Sequence, residues 1–181
     1  MIYLVRHGAA SANWGADPDP GLGALGEQQA ERVAVALMHE TSPPRRVVSS
    51  PLLRAQQTAK PLAAKLRTSV IVQRAFTELP SPVPLTERSD WLRSIMSGTW
   101  ADQSDVIRQW RSDIIASLAC IDQNTAVFTH FMVLNAVVSH LTANPNILCF
   151  QPDNASVTRI AMSDGKLTLE ALGVQRTTEV N

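Results

Sequence analysis

At 181 residues with 45% hydrophobic content, the chain has the size of one domain and enough apolar mass for a sizeable core. Its 16 basic and 16 acidic side chains cancel to a net charge of zero, which excludes a general electrostatic attraction to nucleic acid or to a membrane surface. No run approaches the roughly 18 apolar residues of a membrane span, and the apolar start 1–5 reaches a charge at Arg6, too soon for a signal-peptide core.

The first five residues read as a buried strand. Residues 26–38 follow as an amphipathic helix, with Ala30, Val33, Ala34, Leu37 and Met38 at three-and-four spacing. Residues 46–49 read as a second strand. Ser50 then offers a helix cap and Pro51 the first helical position, opening a helix to about Leu66 that Pro61 should kink. Residues 69–72 form a third strand. The prolines at 80, 82 and 84 demand an extended loop. Two helices come next, 86–96 and 104–121, the second expected to bury Val106, Ile107, Trp110, Ile114 and Leu118. A strand at 125–129 and a helix at 131–141 follow. Residues 157–162 and 167–172 read as a hairpin, with a frayed tail after Gly173.

This alternation predicts an α/β three-layer sandwich: a mostly parallel sheet, an antiparallel edge strand and helices on both faces. In such sheets ligands bind beyond the carboxyl ends of the strands. His7 and His130 each stand just past a predicted strand end, where residues distant in sequence can meet. Cys120 and Cys149 form no CxxC or zinc spacing. Their apolar neighbours predict buried free thiols and, by default, a reducing cytoplasmic location.

Arg6-His7-Gly8 followed by Asn13, then Ser50-Pro51-Leu52-Leu53-Arg54-Ala55-Gln56-Gln57-Thr58-Ala59, then a histidine closing a late strand, resembles the histidine phosphatase superfamily, which is phosphoglycerate-mutase-like. The loop from Pro20 to Gly26, leading to Gln29-Ala30, resembles the same family, and the likeness covers roughly residues 1–160. It implies one domain over 1–181 with a small loop and helical insertion at about 79–101 over the site. It also implies a metal-independent phosphatase that hydrolyses phosphomonoesters through a phosphohistidine on His7, with no cofactor. Arg6, Arg54 and His130 would hold the phosphoryl group and Asn13 would add a hydrogen bond. Glu78, after the third strand, would be the proton donor, with Glu87 as the alternative.

The chemistry suits these residue types. Phosphoryl transfer needs charge stabilisation on three equatorial oxygens and an in-line nucleophile. Arginine forks supply the first. A neutral imidazole supplies the second, and neighbouring cations favour its neutral form. A metal held by His7, His130 and Glu78 is the weaker reading, because Arg6 and Arg54 would repel it.

Three departures from the family pattern bear on substrate choice: Ala9-Ala10 where relatives often carry Glu-Thr, the proline-rich stretch after Glu78, and Phe131 in place of glycine after His130. A phosphoglycerate-type mutase and a catalytically degenerate phosphate-binding module remain as alternatives. The expected partner is a small phosphate ester or a phosphoprotein, with no nucleic-acid or membrane partner. The sequence does not specify an oligomeric state.

Overall fold

All five residues of strand β1 (Ile2–Arg6) are buried, as a strand covered on both faces requires. In the computed structural model, which describes residues 1–11, 17–163 and 166–176, β1 lies inside a six-stranded sheet of order β3-β2-β4-β1-β5-β6. The other strands are β2 (Arg46–Ser49), β3 (Val70–Val72), β4 (Thr125–Thr129), β5 (Val157–Ser163) and β6 (Lys166–Ala171). The first four in that order run parallel, while β5 pairs antiparallel with β1 and β6 antiparallel with β5. The predicted sandwich is the observed one.

Alternate residues of β1 feed two cores. Tyr3 and Val5 join Val33, Leu37, Val47, Leu62 and Phe128 beneath α1 (Ala24–Met38) and α2 (Leu53–Leu66). Ile2 and Leu4 join Val48, Phe76, Leu92, Ile114, Leu118 and Val137 on the opposite face. There α3 (Arg88–Met96), α4 (Asp105–Ala119) and α5 (Phe131–Leu141) pack.

Several expectations change in detail. The second helix starts at Leu53, not Pro51, because Leu52 is extended and the Ser50 hydroxyl turns to His130 while accepting the Leu52 N–H. It runs on through Pro61. A short 3-10 turn, Leu85–Glu87, precedes α3. Val106 is 69% exposed, a quarter-turn away from the buried stripe Ile107, Ile114 and Leu118. Trp110 is half-buried and donates its indole N–H to the Thr77 carbonyl. Cys120 is exposed just past α4 and Cys149 half-buried, both as free thiols. The segment after Gly173 is tied down as far as it is described: Val174 accepts the Asp153 N–H and Arg176 donates to Gln151.

Candidate active site

Register decides what meets at the sheet edge. Arg6 of β1 pairs with Thr129 of β4, and Ser49 of β2 with Phe128, so His7, His130 and Ser50 leave their strands side by side. The bonds from His7 N to Thr129 O (2.9 Å) and from Ser50 N to Phe128 O (2.9 Å) carry the ladder to that point. The two imidazoles lie 5.3 Å apart, centroid to centroid, tilted by 56°.

His7 is 5% exposed. Its Nδ1–H donates to the Gly8 carbonyl at 2.7 Å, which leaves the lone pair on Nε2, where the Arg54 Nε–H donates at 3.2 Å. Burial, followed by the Arg54 charge, lowers the His7 pKa to about 3, so the ring is neutral at pH 7. His130 is fully buried and likewise neutral, its pKa pushed well down by burial first and then by His7, Arg54 and Arg6. Its Nε2 shares a 2.7 Å hydrogen bond with the Ser50 hydroxyl.

The arginines are fixed differently. Arg54, in the first turn of α2, stands 3.7 Å from the Asp19 carboxylate, which also accepts the Leu53 N–H. Arg6 donates through Nη1 to Pro152 O at 2.8 Å, and its guanidinium lies 5.2 Å from the Phe131 ring centroid. Burial first, then Arg176, lowers the Arg6 pKa to about 10, and the group stays cationic. Glu78 is 3% exposed. Its Oε1 accepts from Leu79 N at 3.0 Å and from Met132 N at 3.2 Å, at the start of α5. Burial pushes its carboxyl up, against the opposing pull of these bonds and of Arg54. Glu87, the alternative acid, is exposed.

Five of the six predicted site residues therefore converge, and Asn13 lies outside the described residues. Other contributors went unread. Thr58 accepts from Gly8 N and donates to Arg54 O, tying the His7 loop to the Arg54 helix. Ser50 holds His130, Asp19 holds Arg54, and Asn154 donates through Nδ2 to His7 O at 3.0 Å. Thr58 lay within the quoted motif. Nothing local in the sequence marked Asp19 or Asn154. Gly8 and Gly26 allow the close packing of the His7 loop on α1: a Cβ on Gly26 would stand 2.1 Å from Ala9 O.

The fold and site define a three-layer α/β protein that gathers two neutral imidazoles among buried guanidinium groups at the carboxyl ends of parallel strands. Residues 2–81 match the model of the histidine phosphatase superfamily (branch 1), and the family resemblance drawn from the sequence holds. A stretch of 84 residues is 46% identical to the PE-PGRS family protein PE_PGRS11 of Mycobacterium tuberculosis, which covers 44% of this chain and 14% of that protein. The chain thus spans a small part of that relative's length. Among solved structures, a mycobacterial glucosyl-3-phosphoglycerate phosphatase in complex with VO3 is 22% identical at a TM-score of 0.70, covering 96% of this chain and 98% of that one. A phosphoserine phosphatase of Entamoeba histolytica, in complex with 3-phosphoglyceric acid, is 20% identical at a TM-score of 0.74, with 97% of each chain covered. These two likenesses concern the fold. Among the described residues, no three His, Cys, Asp or Glu side chains group as metal ligands. No helix there is long and apolar enough to cross a membrane.

Proposed function

We propose that the chain is a phosphatase that hydrolyses phosphomonoesters through a phosphohistidine on His7, without a metal. The observation that carries this reading is the tautomer of His7: Nδ1–H is spent on Gly8 O, and the Nε2 lone pair points at the Arg54 guanidinium. A phosphoryl group bound there would lie between nucleophile and cation. The family match and the phosphatase names of the neighbouring structures support the same chemistry.

In the first step Nε2 forms a bond to phosphorus as the ester P–O bond breaks. The electron pair leaves with the alcohol oxygen, which takes a proton from Glu78, whose raised pKa suits a donor. In the second step water attacks the phosphohistidine, Glu78 takes back a proton, and phosphate departs from a regenerated neutral His7. Arg6 and Arg54 offset the charge on the equatorial oxygens, which is the stabilisation a divalent cation would otherwise supply. At the site, Arg6 Nε and His130 Nδ1 are buried without a hydrogen-bond partner among the described residues, and both fit phosphate oxygens. Negative charge arriving there would raise the His130 pKa and favour its cationic form. Residues 79–101 would be the insertion that walls the site within a single domain. Leu79 and Leu92 are buried in the core, and the Arg88 charge acts on Arg54, Glu78 and His130. The substrate class is a small phosphate ester.

The test is a phosphatase panel on wild type and His7→Ala, with acid-labile phosphate on the protein measured in parallel and chelator present. Wild type should release phosphate from monoesters without a diphosphorylated primer and carry an acid-labile phosphate after quenching. His7→Ala should lose about ten-thousand-fold or more of the rate. Turnover only with primer would assign a mutase. Phosphate binding with no turnover would assign a binding module.

A further inference from the structure

A third guanidinium stands at this site, supplied by the far end of the chain. Residues 174–176 return alongside 151–153: Val174 O accepts from Asp153 N at 2.8 Å, Arg176 N donates to Gln151 O at 2.9 Å, and Pro152 and Gln175 form an antiparallel bridge. The Gln175 side chain adds a bond from Gln151 N at 3.0 Å. Pro152 is also the residue whose carbonyl accepts Arg6 Nη1, so Arg6 and Arg176 flank one short ladder. Electrostatics agree with that placement: after burial, Arg176 is the largest influence lowering the Arg6 pKa, and its charge reaches His7.

The Arg176 side chain is held but open. Its Nη2 donates to Asn154 Oδ1 at 2.7 Å, and its Nε lies 3.5 Å from Asp153 Oδ1. Its side chain is 50% exposed, and Nη1 has no partner among the described residues. Asn154 is the same side chain that donates to His7 O, so the fork is oriented from the nucleophile's own backbone. Arg6 and Arg54 are buried, whereas the Arg176 side chain is half-exposed. The buried pair already faces the phosphoryl oxygens. Asp153 balances part of the Arg176 charge, and a second negative charge on the same ligand would add to that balance against the buried pair. A planar fork with one free edge matches a carboxylate.

We propose that Arg176 is a specificity-determining residue that binds a carboxylate on the non-phosphate end of the substrate, making phosphorylated hydroxy-acids the preferred class. The inference rests on the phosphate site proposed above. It is tested by equilibrium binding, which does not depend on turnover, using a matched pair of probes: 3-phosphoglycerate and glycerol 3-phosphate, which differ by carboxylate against hydroxymethyl. Wild type should bind the carboxylated probe about tenfold more tightly, the scale of one charge-assisted hydrogen bond. Arg176→Gln should erase that preference, and Arg176→Lys should retain part of it. A thermal melt of each variant checks that the half-exposed tail position is tolerated. Equal affinity of wild type for both probes, or a loss in Arg176→Gln shared equally by the two, overturns the inference and leaves the phosphatase reading intact. A carboxylate preference that disappears in Arg176→Gln in a protein that releases no phosphate supports the inference and sinks the phosphatase reading instead. Failure of wild type to bind either probe overturns both.

Discussion

The two helical layers hold their parts of the site by different means. On the α1–α2 side, His7 and Arg54 are laced by directional bonds: Thr58 to both Gly8 and Arg54, Gln29 to Ala9 N, Gln57 to Leu22 N, and the Gly8–Gly26 backbone contact. On the α3–α5 side, Glu78 and His130 are held mainly by enclosure. Both are almost wholly buried, with two backbone N–H donors for the carboxyl and one serine for the ring. The laced side fixes geometry and tolerates little change in backbone spacing. Desolvation leads the pKa shifts on both sides, of His7 and Arg54 as of Glu78 and His130, so the layers differ in how many directional bonds hold their groups and not in how they set protonation.

This contrast predicts that function and stability separate on the enclosed side. Glu78→Gln keeps the shape and the acceptor oxygen, so its melting temperature should stay close to wild type while kcat falls by about a hundredfold or more. The pH profile sharpens the point. A donor with a raised pKa stays protonated to higher pH, so wild-type activity should decline as pH rises through that pKa, and the variant should lack this limb. A large loss of stability in Glu78→Gln would break the contrast.

On the laced side stability and function should fall together. Gly26→Ala places a methyl 2.1 Å from the Ala9 carbonyl oxygen, a backbone atom that cannot swing aside as a side chain could. It should lower stability by about 1–3 kcal/mol in a denaturant titration and reduce activity by displacing the His7 loop. An unchanged melting curve would mean that the close packing of this loop is not restrictive.

Ser50→Ala gives the smallest expected effect and sits between the layers. It removes the partner of His130 Nε2 and of Leu52 N–H. About a tenfold loss in kcat/KM is expected, the scale of one buried hydrogen bond. A loss confined to stability, with kinetics intact, would make Ser50 a helix-start residue alone.

Legibility followed the same division. The laced side was readable because its chemistry is packed into short stretches: Arg6-His7-Gly8 and the segment from Ser50 to Ala59 carry strand end, turn and helix together. The match to the family model over residues 2–81 covers this half. On the enclosed side, His130 was readable as a strand-end histidine, and Glu78 from its place after β3. Phe131 against Arg6 was not, because an aromatic after a histidine has no local signature. Val106 and Cys120 were misjudged for a related reason: apolar character sets the tendency to be buried, while the helix azimuth and its end decide which residues reach the core.

The amino-acid order alone determined the alternation of strands and helices, hence the layered sheet, because hydrophobic period and turn residues are local properties of the chain. It also determined which side chains stand just past the strand ends. Only the tertiary structure decided the strand register that brings His7 to His130 and the Nδ1–H tautomer that frees Nε2. It alone set the burial that holds both rings neutral and the return of Arg176 beside Arg6. These depend on distances between segments remote in the chain, and such distances are set by packing, which no stretch of sequence encodes by itself.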